Sequence, residues 1–331
     1  MNERSQIEAF GNLTPDELLD AVEADGVHCD GRFLALNSYE NRVYQIGVED
    51  APPLVAKFYR PLRWSDDAII EEHDYTTSLA SHEIPVIPPN ADANGNTLRV
   101  HKEFRFALYP CRGGRAPELD NADHLEQLGR LVARIHATGA TQDFTFRPAL
   151  NIESLALKPS AFLLDNGYIP DYLVDAYSTL IKDLIDQIHS GFESAGKISL
   201  IRLHGDFHPG NILWTDDGPH IVDFDDARMG PCIQDLWMFL SGDRNYMSAR
   251  LADLLDGYTQ FYEFNPTELH LIEPLRTLRM INYAGWIAAR WNDPAFPQAF
   301  PWFNTPHYWN EHILALREQA ALMNEPPLRW S

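Results

Sequence analysis

The chain has 331 residues, of which 45% are hydrophobic and 22% are charged, and its formal net charge is −22 at pH 7. This composition is that of a globular protein with a sizeable core. The strong negative charge disfavours nucleic acid and anionic membranes as partners, because both attract basic surfaces.

Cysteine usage and hydropathy narrow the class further. The three cysteines, Cys29, Cys111 and Cys232, are widely spaced and form no C-x-x-C pair, so we expect free thiols and no zinc site. No apolar run reaches the length of a membrane span, and the N-terminus lacks an apolar signal core. We therefore expect a cytoplasmic protein that binds neither nucleic acid nor membrane. A monomer is a further expectation, which no sequence feature indicates.

The first third of the chain has the pattern of a small sheet with two helices. Thr14-Pro15 followed by spaced apolar residues predicts a capped amphipathic helix. Apolar and β-branched runs predict strands, and a longer periodic run predicts a second helix. The strands are expected at 32–36, 42–48, 53–59 and, after a polar turn at 92–97, at 99–109, with the second helix at 65–81.

Residues 111–114, Cys-Arg-Gly-Gly, end the strand pattern, and helical periodicity dominates the remainder. Long helices are predicted around the apolar stripe Leu125–Ile135 and at 171–188 and 275–291, with short β-like runs at 199–213 and 220–224. The sequence thus predicts an α+β, two-lobed, protein-kinase-like fold. Its antiparallel-sheet lobe would span residues 1–111 and its helical lobe 112–331, with ligands bound where the lobes meet.

Two neighbouring segments carry the strongest chemical signal, Leu-His-Gly-Asp-Phe-His-Pro-Gly-Asn-Ile-Leu-Trp at 203–214 and His-Ile-Val-Asp-Phe-Asp-Asp at 220–226. Phosphoryl transfer needs a group that takes the proton of the acceptor hydroxyl, and it needs metal ligands that offset the phosphate charge. Asp206 would supply the first, and Asn211 and Asp223 the second. Turn-forming residues or a helix cap would explain each position alone, but the three together favour catalysis.

The H-G-D-x-H-x-x-N loop resembles that of the aminoglycoside-phosphotransferase and choline-kinase-like superfamily, relatives of the eukaryotic protein kinases. Further segments resemble one branch of it, serine/threonine protein kinases of the bacterial stress response. The resemblance runs from about residue 14 to residue 328. Its segments are 36–45, 57–61, 203–214, 222–223, 225–228, 234–238 and 293–297.

The resemblance implies ATP and Mg²⁺ as cofactors and assigns a role to several positions. Asp206 would be the catalytic base, while Asn211 and Asp223 would hold Mg²⁺ at the reacting phosphates. Lys57 matches the strand lysine that contacts the α- and β-phosphates, and Glu72 matches its carboxylate partner. The neighbouring Glu71 is an alternative to Glu72. If these positions have no function, Lys57 is a solvated strand lysine and the glutamates belong to a solvated helix face.

The same resemblance places the nucleotide. A G-x-G-x-x-G loop is absent, and Ser38 with the backbone N–H groups of 38–41 would replace it, unless Ser38 only caps the turn. Residues 106–111, with Tyr109 and Cys111, would form the hinge that reads the adenine edge. Supporting residues would hold the catalytic loop rather than bind zinc; these are Asp235, His136, His204 and His208.

Three functions remain open at this point. The branch segments favour a protein substrate carrying serine or threonine, with autophosphorylation included. The superfamily loop and the acidic composition leave open a small cationic alcohol such as an aminoglycoside or choline. A nucleotide-binding pseudokinase regulator is the third reading, although such a protein has no need of a base. An aromatic cluster late in the chain would form either a packed cap or part of an acceptor groove, where its rings would also hold a cation.

Overall fold

Residues 9–330, which the computed structural model describes, form nine α-helices and nine β-strands. The helices are α1 (Pro15–Glu23), α2 (Asp66–Ser81), α3 (Ala122–Gly139), α4 (Lys158–Asp165), α5 (Val174–Ala195), α6 (Arg244–Tyr258), α7 (Ile272–Ala289), α8 (Ala295–Ala299) and α9 (Pro306–Met323). The strands are β1 (Cys29–Ala35), β2 (Arg42–Val48), β3 (Ala51–Phe58), β4 (Arg99–His101), β5 (Phe104–Pro110), β6 (Ile201–Leu203), β7 (Ile212–Thr215), β8 (Gly218–Ile221) and β9 (Arg228–Gly230).

The chain divides into two compact units. The first contains residues 9–117, 144–147 and 208–227, and the second contains 118–143, 148–207 and 228–330. This division differs from the single boundary after residue 111 expected from sequence, because the β7–β8 hairpin packs with the N-terminal sheet unit. The lobe boundary itself stays a prediction.

A five-stranded antiparallel sheet in the order β1-β2-β3-β5-β4 forms the centre of the first unit. Side chains alternate across a strand, so neighbouring residues of β3 serve opposite faces. Phe58 joins Phe106 and the helix α1 residues Leu18 and Val22 in one core cluster. On the other face, Ala107 packs with Tyr59 and with Ile69 of α2. That second face also carries Lys57, which is opposite Ala107.

Both predicted helix starts in this unit are confirmed. The Thr14 hydroxyl accepts a hydrogen bond from the Glu17 N–H, and the Ser65 hydroxyl accepts one from the Ala68 N–H. These bonds satisfy N–H groups that the first turn leaves without partners. Pro15 stands at the first helical position, where its missing N–H costs nothing.

The strand expected at 99–109 is two strands. Lys102 adopts a positive φ of 52° and turns the chain between β4 and β5, which pair as a hairpin. The turn contains neither glycine nor asparagine, the residues that usually mark such conformations, and for that reason the sequence pattern did not indicate it. Strand β1 begins at Cys29, earlier than predicted, and its register shifts between Cys29 and Phe33 around Gly31 at φ 82°.

The second unit is mainly helical, with a two-stranded β6–β9 sheet. The apolar stripe predicted on α3 is buried, as Leu125, Leu128 and Ile135 are each fully covered. Helices α5 and α7 lie close to their predicted positions. Helices α4, α6, α8 and α9 were not predicted from the sequence pattern. The late aromatic residues mostly form a packed cap, since Phe296, Phe303 and Trp309 are buried. The Phe303 and Trp309 rings lie 5.3 Å apart, and Phe296 contacts the rings of Trp286 and Phe300.

Helices α3 and α6 approach closely because each has a glycine at the crossing. A Cβ at Gly129 would lie 1.9 Å from the Leu254 carbonyl oxygen, and one at Gly257 would lie 2.0 Å from the Glu126 carbonyl oxygen. Backbone atoms cannot move aside as a side chain does, so the helices would have to separate.

We therefore expect Gly257→Ala to lower the free energy of unfolding by about 3 kcal/mol, at the upper end of overpacking costs. Urea denaturation would measure the loss. Gly113→Ala is the control, because a Cβ there meets nothing within 4 Å. Equal stability of the two variants would show that the helices tolerate the extra methyl group.

Within the described part of the chain, no helix combines the length and the apolar character needed to cross a membrane.

Candidate functional site

A cavity of about 380 Å³ lies in the first unit, within the usual size range of ligand pockets. The structure brings most of the residues predicted from sequence to its wall, namely Ser38, Lys57, Glu72, Tyr109, Cys111, Asn211 and Asp223. Apolar side chains complete the lining, namely Leu36, Val43, Val55, Ile87, Leu213 and Val222. Asp206 is the exception, because it belongs to the second unit.

Lys57 is buried at the cavity wall and is held by two carboxylates. Its Nζ donates to Asp223 Oδ1 at 2.8 Å and lies 3.3 Å from Asp225 Oδ1. Burial opposes the positive charge, yet the nearby Asp223 and Asp225 raise the pKa of Lys57 well above its ordinary value. The cavity therefore presents a permanent cation, the group that a phosphate requires.

The structure separates the roles of the two adjacent helix carboxylates. Glu71 accepts hydrogen bonds from the backbone N–H groups of Thr145, Phe146 and Arg147, so it anchors that segment. Glu72 instead lines the cavity, is 2% exposed, and has a buried Oε2 without a hydrogen-bond partner. Burial raises its pKa to about 7.

Among the described residues, the carboxylates within ion-pair distance of Lys57 are those of Asp223 and Asp225, and not that of Glu72. The backbone conformation just after β8 positions Asp223 for its ion pair with Lys57. Asp223, the second residue after that strand, adopts a left-handed conformation, φ 64° and ψ 65°. A non-glycine residue in this region is strained, and such strain is concentrated at functional sites.

The β7–β8 hairpin holds the two predicted metal ligands side by side. Ile212 pairs with Ile221, and the Val222 N–H donates to the Asn211 carbonyl at 3.1 Å. Asn211 therefore lies next to the backbone that carries Asp223. The Asp223 side chain is about half exposed, at 52%, so its carboxylate is accessible from the cavity.

A neighbouring arginine holds the glycine-free turn at residues 37–41 in shape. This role of the arginine was not predicted from the sequence. Arg60 donates to the carbonyl oxygens of Tyr39 and Glu40 at 3.2 and 2.9 Å, and its Nε lies 3.0 Å from Glu40 Oε1. The Arg60 N–H donates in turn to Asn41 Oδ1 at 3.0 Å. These contacts fix the turn, and Ser38 lies at the cavity wall.

Asp225, also missed, is the centre of a buried ion network. It is 4% exposed, and its Oδ2 lies 2.9 Å from Arg63 Nη1. Arg63 also pairs with Glu40 at 3.2 Å and with Asp226 at 2.9 Å. Although burial opposes ionisation, Arg63 and Lys57 hold the pKa of Asp225 well below its ordinary value. The network joins the 37–41 turn to the segment that follows β8.

Tyr109 is fixed at the cavity by a chain of hydroxyl groups. Its Oη lies 2.9 Å from Tyr59 Oη, which lies 2.7 Å from His73 Nε2. The other ring nitrogen of His73 contacts the Thr97 hydroxyl at 2.8 Å. Burial raises the pKa of Tyr109 well above its ordinary value, so the phenol stays neutral.

In the second unit, Asp235 shapes the loop that carries Asp206. Its two carboxylate oxygens accept from the N–H groups of His204 and Gly205 at 2.8 and 2.9 Å. Gly205 has a φ of 85°, a conformation that glycine adopts without cost. His136 Nε2 also lies 3.3 Å from Asp235 Oδ2. The hydrogen bonds predicted between Asp235 and the loop backbone are therefore present.

The loop histidines act in hydrogen bonding. His204 Nδ1 accepts from the Asp206 N–H at 3.3 Å, and His208 Nδ1 accepts from the Gly210 N–H at 3.0 Å. Within residues 9–330, no group of three or more His, Cys, Asp or Glu side chains has an arrangement that would hold a metal ion. The Asp206 carboxylate itself pairs with Arg279 of α7, a contact that sequence pattern did not predict.

A second buried carboxylate lies behind the Asp235 segment. Glu268 is 2% exposed and accepts from the Ile233 N–H at 2.9 Å. Burial raises its pKa from 4.5 to about 7. The folded protein therefore binds a proton at Glu268 more tightly than the unfolded chain does, and stability falls as the pH rises through this window.

As the pH rises from 4.5 to 7, the wild type should lose on the order of 3 kcal/mol of unfolding free energy through the ionisation of Glu268. We expect Glu268→Gln, which mimics the neutral carboxyl group, not to show this loss. Urea denaturation of both proteins across this range would measure the difference. The exposed Glu263 provides the matched control as Glu263→Gln. A wild-type stability curve parallel to that of Glu268→Gln would contradict the assignment.

Comparison with known proteins adds to this geometry. Residues 32–272 match the model of the phosphotransferase enzyme family. The chain is 43% identical over 320 residues to stress response kinase A of Escherichia coli K12, covering 97% of this chain and 96% of that protein. It is 42% identical over the same length and coverage to a Salmonella typhimurium protein named serine/threonine protein kinase RdoA.

The fold has solved counterparts. An amicoumacin kinase in complex with AMP-PNP, Ca²⁺ and Ami superposes with a TM-score of 0.74 at 21% identity, over 95% of each chain. At this identity the likeness concerns the fold alone. It confirms the predicted α+β kinase-like class, to which the antiparallel sheet and the helical unit described above correspond.

Proposed function

Because this chain belongs to the phosphotransferase enzyme family and is a kinase, we propose that it transfers the γ-phosphate of ATP to serine or threonine hydroxyls of proteins, itself included. The observation that carries the phosphotransfer is the buried Lys57 paired with Asp223 inside the cavity. The protein acceptor is supported by the extent of similarity to relatives named as stress response and serine/threonine kinases.

The residues at the cavity fit the binding of a nucleotide. Lys57 would bind the α- and β-phosphates in place of its present carboxylate partners. The Arg60-held turn with Ser38 would cover the phosphates through backbone N–H groups and a hydroxyl. The apolar walls and the segment at Tyr109 and Cys111 would take the adenine ring. Glu72 would form part of the buried wall of the pocket.

The donor set also fits Mg²⁺, which we propose as the metal. Asn211 and Asp223 offer the oxygen donors that this ion prefers, and Mg²⁺ commonly takes only one or two protein ligands. When bound, it would supply positive charge to offset that of the phosphates. Of the two ligands, only Asp223 carries a charge, and it lies 2.8 Å from Lys57, so the metal and the phosphates would occupy the same end of the cavity.

Asp206 is the proposed general base. It stands five residues before Asn211 in the chain, the spacing of the catalytic loop in kinases. The carboxylate would accept the proton of the attacking hydroxyl as the oxygen bonds to phosphorus. Hydrogen bonds from His204 and Gly205 to Asp235 fix the backbone on which Asp206 stands.

The test is transfer of label from γ-labelled ATP, with Mg²⁺, to the purified protein and to a generic protein substrate. Label recovered as phosphoserine or phosphothreonine supports the proposal. The same reactions would include aminoglycosides and amino alcohols as acceptors. Label on a small alcohol with none on protein would overturn the protein-kinase proposal, and ATP binding without any transfer would indicate a pseudokinase.

A further inference from the structure

The proposed base has a cationic neighbour that the mechanism above does not use. Arg279, on α7, donates through Nη1 to Asp206 Oδ1 at 2.5 Å. The Arg279 side chain is 48% exposed and that of Asp206 is 24% exposed, so both are accessible to a ligand.

The pair changes which acceptors the site favours. A carboxylate without a neighbouring cation attracts an ammonium group. The general base of a kinase that phosphorylates amine-containing alcohols would use this attraction. Here the Asp206 carboxylate already has a cation from its own chain, so an incoming amine must displace a tethered guanidinium. The Arg279 guanidinium has five N–H donors, and those that do not bond Asp206 suit a carbonyl or carboxylate of the acceptor.

The same face of α7 continues as an aromatic surface. Tyr283, one turn after Arg279, is 42% exposed, and its ring stacks on Trp286 with centroids 5.8 Å apart. Residues four and seven positions along a helix share a face, so the three side chains form one row. The Trp286 ring already has the Arg290 guanidinium 5.5 Å from its centroid. The exposed Tyr283 ring suits the packing of peptide groups and apolar side chains, and Arg279 opposes the binding of a further cation at the end nearest Asp206.

We propose that Arg279 is a specificity-determining residue: by occupying the Asp206 carboxylate, it disfavours acceptors with an ammonium group beside the reacting hydroxyl and favours serine or threonine flanked by neutral or acidic residues. This inference rests on the proposed role of Asp206. It addresses the choice between a polypeptide and a cationic small alcohol, which the sequence leaves open.

The first measurement is kcat/KM for three peptides that differ only in the residues flanking one serine, which are Lys, Gln or Glu. The wild type should prefer the Gln and Glu peptides. Arg279→Ala should move the preference about tenfold towards the Lys peptide, mainly through KM. Arg279→Lys retains a cation and should restore most of the original preference. Arg317→Ala, at an exposed arginine of α9, is the matched control and should change nothing.

The second measurement does not depend on protein phosphorylation. Calorimetric titration with kanamycin should give about five- to tenfold tighter binding to Arg279→Ala than to the wild type, and Asp206→Asn/Arg279→Ala should lose that gain. If no peptide is labelled but kanamycin affinity changes in this way, the protein-kinase proposal fails and the role of Arg279 stands. If the affinity and the peptide preference of Arg279→Ala both stay within twofold of wild type, the inference is overturned, whatever the wild type phosphorylates.

Discussion

Replacing Asp206 with asparagine is expected to lower kcat by about 10²- to 10⁴-fold, the range typical of a lost general base. Asparagine keeps the shape of the side chain but cannot take the proton of the acceptor hydroxyl. ATP affinity should stay close to wild type, because the proposed nucleotide contacts belong to the cavity of the other unit. Initial rates with γ-labelled ATP and calorimetric ATP titration would measure the two effects.

The loss should not arise from unfolding. Asp206 pairs with a half-exposed Arg279, and exposed ion pairs contribute at most about 1 kcal/mol to stability. Thermal unfolding of Asp206→Asn should therefore remain near that of the wild type. Asp217→Asn, at an exposed turn carboxylate, is the control and should retain full activity. If Asp206→Asn retains kcat within tenfold of wild type, Asp206 is not the base.

The sequence predicted the cavity residues where chemistry imposes a spacing. Asn211 and Asp223 flank the β7–β8 hairpin, whose strand pairing continues as the hydrogen bond from the Val222 N–H to the Asn211 carbonyl, so a motif in the chain becomes a cluster in space. Lys57, in the predicted strand at 53–59, is predicted through the resemblance. These positions depend on local backbone structure, which sequence pattern reports directly.

The supporting ion pairs were not predictable in the same way. Arg63 and Asp225 are separated by 162 positions in the chain, and Arg279 and Asp206 by 73. Nothing in a local pattern links such residues, because their contact depends on how distant elements pack. A partial signal exists in the three aspartates of 223–226, since carboxylates so close together favour nearby cations.

Helix α9 is a different case, because local signals for it are present in the sequence. Helix α9 begins at the Thr305 cap with Pro306 at its first position, signals that precede a periodic run and would have identified it. The aromatic residues around this helix led instead to the prediction of a packed cap or an acceptor groove. The β4–β5 turn has no such local signal. The positive φ at Lys102 is imposed by strand pairing, and lysine has no preference for that conformation.

The buried network also gives the largest expected effect on stability. We expect Asp225→Asn to lower the free energy of unfolding by about 3–5 kcal/mol, because it removes the negative charge between the buried cations of Lys57 and Arg63. That is a large fraction of the 5–15 kcal/mol typical of folded domains. Urea denaturation at pH 7 would measure it, and Asp226→Asn, at a more exposed partner of Arg63, should cost about 1 kcal/mol or less.

The pH dependence distinguishes lost charge from lost packing. The pKa of Asp225 is lowered in the folded protein, so its contribution is full above the unfolded value of about 3.9 and is lost only as the pH falls through the lower folded value. The gap between wild type and Asp225→Asn should therefore be constant from pH 5 to pH 8 and should narrow in acid. A gap that stays unchanged down to the acid transition would assign the effect to packing, and Asp225 would then not be the charge that balances Lys57 and Arg63.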